Sequence, residues 1–353
     1  MSASVARHLK DLATLALYAP GRPLLARLNR SGLDSLAGGL SGLSSRVGLK
    51  NEAVAREELE LSFGTQPLPR PMEEILADAW RLALFNELEV LRYPELSRDT
   101  VDEVCEVVGF EHLDQALSLG KGAIVLIGHY GANQMIMPAL GHNGYAMSQL
   151  SAPPTVWAEI LKDTRTTAAY ERVLQRRWEL EQRLPVRHIN VFRFMRPALE
   201  CLHRNEVLGL AFDGGGGRSW TGVSLLGRAA NVSIQPAQLA RKTGAAILPT
   251  RVWRSPGMTR HVIEIDSPLS CAEEGPDAIA MDMQAYADRF SAWVRERPEQ
   301  YLPFLVVRRE MRGLDVRPFF DDYPDIEGGG LNPEEAALRL QQAAERSGAL
   351  REG

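Results

Sequence analysis

The chain has 353 residues, of which 45% are hydrophobic and 24% are charged, a composition typical of a globular protein with one large domain and additions. Its formal net charge of -5 argues against a nucleic-acid partner, because such proteins need a basic surface for the phosphate backbone. The three cysteines, Cys105, Cys201 and Cys271, lie far apart without metal-ligand spacing. We therefore expect neither a metal site nor another bound cofactor.

The first 50 residues combine helical spacing with positive charge. They carry seven Lys or Arg residues and two Asp residues, whereas the remainder of the chain is strongly acidic. Residues 31–45 are rich in Gly and Ser but keep Leu side chains three and four residues apart. We predict that residues 1–50 form an amphipathic segment that faces an anionic membrane; the alternative is a solvated helical face, with a flexible linker at 31–45. No apolar run approaches the roughly 20 residues of a membrane span, so the expected contact is peripheral.

The next part of the chain is predicted to hold two helices, over residues 51–66 and from Pro71 to about Arg92. From residue 104 onward, short apolar runs of strand type alternate with helical patterns. Predicted strands lie at 104–108, 123–127, 145–150, 186–191, 206–212, 223–226, 245–253 and 261–265. This alternation predicts an α/β fold over residues 51–312, in which helices flank a mostly parallel central sheet.

Residues 313–353 are predicted to form a separate C-terminal extension. Prolines and three consecutive glycines precede an amphipathic pattern from Asn332 to Arg346, which predicts a terminal helix.

The most informative stretch is GAIVLIGHYGANQ, residues 122–134. A continuous apolar run of the kind found in buried parallel strands ends at Gly128, and His129 follows at once. Open α/β sheets place their chemistry at the carboxyl ends of such strands. A lone histidine is more often structural, but this position favours a catalytic imidazole. Gln134 follows on the next helix, where we expect it to hydrogen-bond the imidazole.

A second buried strand, residues 206–212, ends at Asp213, and four glycines and Arg218 follow. This run is either a flexible turn or an anion-binding nest of backbone N–H groups with a guanidinium. Several arginines precede this strand; most are expected to be solvated, and one or two are expected to reach the cleft. They are Arg165, Arg172, Arg176, Arg177, Arg183, Arg187, Arg193 and Arg196.

The order of several stretches resembles the bacterial lipid A late acyltransferase family (lauroyl/myristoyl acyltransferases), which has the lysophospholipid-acyltransferase-like fold. The resemblance spans roughly residues 50–308. The stretches are REELELSFG, VVGFEHLDQALSLGKGAIVLIGHYGANQ, NEVLGLAFDGGGGRSW, LARKTGAAILPTRVWR and RPEQYLPF.

The resemblance implies an enzyme at the cytoplasmic face of the bacterial inner membrane. It would move a fatty acyl chain from a thioester of acyl carrier protein or coenzyme A to a hydroxyl of a lipid or glycolipid. The family's H-x4-D/E motif places the general base at His129, and an alcohol does need a base to attack a thioester at neutral pH. The predicted substrate-binding residues are Gly131, Asn133, Arg183, Arg187, Gly214, Gly215 and Arg218.

The chain departs from that motif at Gln134, where the family has Asp or Glu. A neutral amide cannot stabilise an imidazolium by charge; in the serine-protease triad, replacing Asp by Asn costs about 10⁴ in rate. Asp213 is the best candidate for the missing carboxylate, which makes His129, Gln134 and Asp213 the predicted catalytic group. The alternatives are slower catalysis, or an inactive homologue that binds lipid or acyl carrier protein as a scaffold. The family's long N-terminal membrane span is also missing, which favours peripheral attachment.

Overall fold

A computed structural model describes residues 3–46, 51–151, 167–191, 195–214, 219–312 and 317–324. The described strands are β1 (Cys105–Val108), β2 (Ala123–Ile127), β3 (Met147–Ser151), β4 (Arg187–Asn190), β5 (Val207–Ala211), β6 (Trp220–Leu225), β7 (Arg228–Ser233), β8 (Ala246–Trp253) and β9 (His261–Ile265). The described helices are α1 (Ala3–Tyr18), α2 (Arg22–Leu25), α3 (Arg30–Arg46), α4 (Glu52–Phe63), α5 (Met72–Val90), α6 (Val101–Val104), α7 (Phe110–Ser118), α8 (Ile136–His142), α9 (Ala168–Glu181), α10 (Arg196–His203), α11 (Gln235–Thr243), α12 (Ala278–Glu296) and α13 (Leu302–Glu310).

The central sheet has seven strands in the order β1-β9-β8-β2-β5-β3-β4. Strands β8, β2, β5, β3 and β4 are mutually parallel, and β9 and β1 run in the opposite direction. Strands β2 and β5 are neighbours, with Ile127 opposite Ala211. Their carboxyl ends therefore lie side by side. The predicted α/β class and mostly parallel sheet are confirmed.

Strand β2 reads as one apolar run because both of its faces are covered. All five of its residues are buried. Val125 and Ile127 point into the hydrophobic core on one side of the sheet, whereas Ile124 and Leu126 point into the core on the other side. Burial on both faces removes the polar alternation of a half-exposed strand.

The described part of the N-terminal segment is helical and packs on the α/β domain. Leu33 and Ala37 of α3 are buried in the same core as Phe85 of α5, so the helical interpretation of residues 31–45 is confirmed and the flexible linker is wrong. Arg30 forms an ion pair with the buried Glu89. Part of the basic charge of this segment is thus used inside the molecule, while Leu43 remains 57% exposed. Within the described residues, no helix is both long and apolar enough to cross a membrane.

Two elements beyond the central sheet differ from the sequence interpretation. Of the predicted strand 223–226, residues 223–225 belong to β6, which pairs antiparallel with β7 in a separate two-stranded sheet. Residues 317–324, predicted to belong to an extension, lie against that sheet: Phe320 bridges Ala230, and Phe319 and Phe320 are fully buried. The predicted helix from Asn332 to Arg346 lies outside the described residues.

Candidate active site

The loop after β2 is shaped by two glycines on either side of His129. A side chain at Gly128 would place its Cβ 2.3 Å from the Phe290 ring. Gly131 has φ +58°, and a Cβ there would lie 2.0 Å from the carbonyl oxygen of Val252. Only glycine fits such close approaches. Phe290 and Val252 therefore pack directly against the loop on either side of the histidine.

His129 is paired with Asp213 across the ends of β2 and β5. The imidazole Nδ1 lies 2.7 Å from Asp213 Oδ1. Asp213 Oδ2 accepts two further hydrogen bonds, from the backbone N–H of His129 at 2.8 Å and from the Tyr301 hydroxyl at 2.9 Å. The pairing follows from the register, because each residue stands two positions beyond the facing pair Ile127 and Ala211. Asp213 is therefore the carboxylate that pairs with His129, as predicted.

The surroundings of the His129–Asp213 pair favour the ionised form of Asp213. Burial by itself opposes ionisation of Asp213, but the His129 charge and the hydrogen bonds from His129 and Tyr301 outweigh it, so the pKa of Asp213 is lowered. An ionised carboxylate only accepts hydrogen bonds, so Nδ1 of His129 carries a proton. The lone pair of a neutral His129 is then on Nε2, which has no hydrogen-bond partner in the described part of the chain.

The exposed side of the imidazole is held by an aromatic ring. Phe304 of α13 stacks on His129 with ring centroids 4.2 Å apart and an interplanar angle of 3°. The His129 side chain is 39% exposed, whereas that of Asp213 is fully buried. The ring plane is thus fixed by Phe304 and Asp213 together, while one edge stays accessible.

That edge lies in a cavity of about 880 Å³, within the usual size range of small-molecule sites. Gly131 and Asn133, both predicted to bind substrate, contribute to its wall together with Gly214. The side-chain amide of Asn133 makes no hydrogen bond to any described residue. The remaining wall is formed largely by apolar side chains of α1, α5, α8 and α9. The cavity wall is therefore predominantly apolar, with polar side chains both near His129 and on α1, α5 and α9.

Gln134 does not bond to His129, contrary to our expectation. It lies in the short 3₁₀ turn Asn133–Met135, and its amide contacts Arg177, Tyr93 and Glu181. Helical spacing places position 134 near position 129 only if one regular helix starts at the histidine. Here Gly131 turns the chain first, so Gln134 faces α9.

Among the described members of the eight candidates, Arg177 lines the cavity; Arg308 of α13, which is not one of the eight, lines it as well. Arg165 and Arg193 lie outside the described residues. Arg187 begins β4 at the opposite edge of the sheet, where it bonds to Glu206 and Ser148. Arg183 is exposed in the turn after α9 and does not line the cavity. The predicted contribution of these two residues to the site is therefore not supported by their positions. Gly215 and Arg218 lie outside the described residues.

Sequence reasoning missed Tyr301 and Phe304. Both fall in the stretch 301–307, which reads simply as apolar, although YLPF has an aromatic ring at each end. The described residues contain no cluster of three or more His, Cys, Asp or Glu side chains arranged to hold a metal ion. The chemistry that this site offers is that of an imidazole base backed by a carboxylate.

Comparisons with known proteins show which family the chain is similar to. The sequence model of a family described as bacterial lipid A biosynthesis acyltransferase matches residues 4–307. The phosphatidylinositol mannoside acyltransferase of Mycolicibacterium smegmatis is 28% identical over 283 residues, which cover 78% of this chain and 86% of that protein. Proteins of the same name from two Mycobacterium tuberculosis strains are 29% identical over 222 residues, which cover 60% of this chain and 63% of theirs.

Proposed function

The chain belongs to the bacterial lipid A biosynthesis acyltransferase family and is an acyltransferase of lipid biosynthesis; from this premise we propose that it acylates a hydroxyl of a glycolipid with His129 as the general base. The acyl donor in this proposal is a thioester of acyl carrier protein or coenzyme A. No bound cofactor takes part.

The observation that carries the proposal is the His129–Asp213 pair at the cavity. Nδ1 is fixed 2.7 Å from a buried carboxylate, and Nε2, at the cavity wall, has no hydrogen-bond partner among the described residues. A base of this kind must accept a proton from the nucleophile and must stay oriented while it does so. Asp213 and Phe304 hold the orientation, and Asp213 stabilises the imidazolium that forms.

The reaction follows in two balanced steps. The acceptor hydroxyl donates a hydrogen bond to Nε2 and attacks the thioester carbonyl as Nε2 takes its proton, which forms a tetrahedral oxyanion. The oxyanion collapses, the carbon–sulfur bond breaks, and the leaving thiolate takes the proton from Nε2. The products are an ester and a free thiol, and His129 is neutral again. Asn133, whose amide is unpaired among the described residues, is our candidate for a substrate hydrogen bond.

The proposed acceptor class is a glycolipid. The matched family is named for lipid A, and the matched relatives are named for phosphatidylinositol mannoside. Both names describe lipids that carry sugar hydroxyls. A sugar hydroxyl placed next to Nε2 would be the acceptor with either lipid. The apolar wall of the cavity suits a fatty acyl chain.

We also propose that the enzyme works as a peripheral protein on the cytoplasmic face of the inner membrane. The N-terminal helices expose isolated leucines: Leu12 on α1 is 44% exposed, Leu24 on α2 is 67% exposed and Leu43 on α3 is 57% exposed. Apolar side chains on amphipathic helices bind membrane interfaces when anionic lipids are present. Flotation with anionic and neutral vesicles tests this: replacing all three leucines by Ser should release the protein from anionic vesicles. Unchanged flotation would overturn the peripheral contact.

The experiment for the proposed activity is a transfer assay with labelled acyl chains. Labelled acyl-coenzyme A and labelled acyl carrier protein are offered separately, each with a lipid A precursor or a phosphatidylinositol mannoside as acceptor. We expect an ester-linked product with at least one combination, and a loss of about 10³-fold in His129→Ala. Equal product formation by His129→Ala would contradict the proposed base.

A further inference from the structure

Resting on the proposed acyltransferase function, we infer that Gln134 is a positioning residue that acts through Arg177, and that Glu87 and Glu181 provide the acidic charge around that arginine. Position 134, five residues after His129, thus serves a guanidinium and not the imidazole. A carboxylate restored at position 134 should therefore impair the enzyme.

The contacts of Gln134 define this role. Its Oε1 accepts hydrogen bonds from Arg177 Nη2 at 2.9 Å and from the Tyr93 hydroxyl at 3.3 Å. Its Nε2 donates to Glu181 Oε1 at 3.3 Å. The amide therefore uses both its acceptor and its donor within one cluster, whereas an ionised carboxylate at this position would offer acceptors only.

Each of the three guanidinium nitrogens of Arg177 contacts a member of that cluster. Its Nε donates to Glu181 Oε1 at 3.0 Å, its Nη1 contacts Glu87, and its Nη2 donates to Gln134. Two carboxylates thus already surround one guanidinium, and the Arg177 and Glu181 side chains are only 18% and 6% exposed. The Tyr18 hydroxyl donates to Glu87 from the opposite side.

The cluster has little tolerance for further negative charge. Burial, helped by repulsion from Glu87, raises the pKa of Glu181 even though Arg177 is beside it. A carboxylate at position 134 would face Glu181 across the present 3.3 Å contact and would remove the donor of that contact. Like charges at such a distance in a partly buried site are strongly unfavourable.

The cluster can influence catalysis because Gln134 is at the far end of the His129 loop. The loop is fixed near its start by the His129 N–H bond to Asp213 and in its middle by the Gly131 N–H bond to the Gln300 carbonyl at 2.8 Å. The bonds of Gln134 to Arg177 and Glu181, both on α9, fix its end. Loss of this last tether should disturb the orientation of His129 without altering the atoms bonded to its imidazole.

The test is a charge exchange between positions 134 and 181. Gln134→Glu, Glu181→Gln and the double variant are compared with wild type for kcat, for KM of the acyl donor, for Tm and for the pH profile of kcat/KM. Gln175→Glu is the matched control, because Gln175 Nε2 also donates to a Glu Oε1 (Glu179) at 3.3 Å but does so on the exposed face of α9, outside the cavity.

We expect Gln134→Glu to lower kcat about 10-fold and to lower Tm, with KM nearly unchanged. The double variant should recover most of both losses, because it restores one donor, one acceptor and two carboxylates around Arg177. The midpoint of the acidic limb of the pH profile should not move, and Gln175→Glu should match wild type.

Two results would overturn the inference. The first is a Gln134→Glu variant that is more active than wild type, or whose acidic limb shifts to higher pH, because a carboxylate next to the imidazole would favour the imidazolium. The second is a double variant no better than Gln134→Glu alone. If no protein, wild type included, transfers acyl groups while the Tm values follow the expected pattern, the proposed function fails and the charge arrangement around Arg177 stands.

Discussion

His129 and His261 each pair with a carboxylate, and they differ in the surroundings of the second ring nitrogen. His129 bonds to Asp213 through Nδ1 and is 39% exposed, with Nε2 at the cavity. His261 at the start of β9 bonds to Glu89 through Nε2 and is completely buried, and its Nδ1 is enclosed without a hydrogen-bond partner among the described residues. A histidine–carboxylate pair is therefore not by itself a catalytic site. An accessible second nitrogen makes the difference.

The buried pair, His261 and Glu89, has a structural role. Glu89 of α5 also binds Arg30 of α3, and Arg254 beyond β8 binds Asp34 of the same helix. These contacts join the N-terminal helices to the sheet. Burial disfavours the charged form of His261 and lowers its pKa, although Glu89 opposes this shift. Such an enclosed group cannot exchange protons with a substrate.

The largest expected effect comes from Asp213→Asn. The amide cannot stabilise an imidazolium and allows the imidazole to adopt the wrong tautomer, so kcat/KM should fall by about 10³–10⁴. Steady-state transfer assays measure the loss, and thermal unfolding checks that the variant is folded. A folded variant within threefold of wild type would show that the carboxylate does not support His129.

At the buried pair, Glu89→Gln should reduce stability rather than activity. Removing one partner of a buried ion pair leaves the others uncompensated and costs about 3–5 kcal/mol in the free energy of unfolding. Urea unfolding measures this change. The control is Asp102→Asn, since Asp102 pairs with Arg98 at the surface, with both side chains more than 60% exposed; about 1 kcal/mol or less is expected there. A Glu89→Gln variant of normal stability but low activity would reverse the assigned roles.

The two regions were not equally predictable from sequence. Buried strands 123–127 and 206–212 are visible as apolar runs, and each is followed within two residues by a polar side chain, His129 or Asp213. Parallel pairing of these strands is enough to bring the two side chains together. The partner of Gln134 could not be predicted from the sequence, because Gly131 changes the direction of the chain before the 3₁₀ turn begins. The pairing of Glu89 with His261 joins residues far apart in sequence, and no local pattern marks it.

The aromatic contacts were equally hidden. Phe304 and Tyr301 lie in a stretch whose only local signal is hydrophobicity, and their roles arise because α13 passes over the end of β2. Phe319 and Phe320 were assigned to an extension because Pro and Gly surround them, yet they are buried in the core. Tertiary packing outweighed local composition at these positions.

Phe304→Leu is expected to have a moderate effect. Stacked aromatic pairs contribute about 0.5–1.5 kcal/mol beyond the buried area, so loss of the ring that orients His129 should lower kcat about 3- to 10-fold. The control is Phe110→Leu, which removes a stacked contact with Tyr145, since neither residue lines the cavity; kcat should be unchanged. Equal kcat for wild type and Phe304→Leu would remove the ring from the catalytic arrangement.

The smallest expected effect is a pH dependence of stability. The pKa of Asp213 is lower in the folded protein than its ordinary value of 3.8. Its interactions therefore stabilise the fold fully above that value, and the stabilisation is lost as pH falls through the lower folded-state pKa. The difference in the free energy of unfolding between wild type and Asp213→Asn should be constant near neutrality and should shrink below about pH 4. A difference that grows on acidification would contradict the sign of this shift.

The most direct measurement compares His129→Ala with His261→Ala in the same acyl-transfer and thermal-unfolding assays. His129→Ala should lose about 10³-fold in kcat/KM and keep a Tm close to that of wild type. His261→Ala should have a lower Tm and, well below that temperature, near-normal kcat/KM. If His129→Ala instead retains wild-type kcat/KM, His129 is not the base and the distinction between the two histidines is wrong.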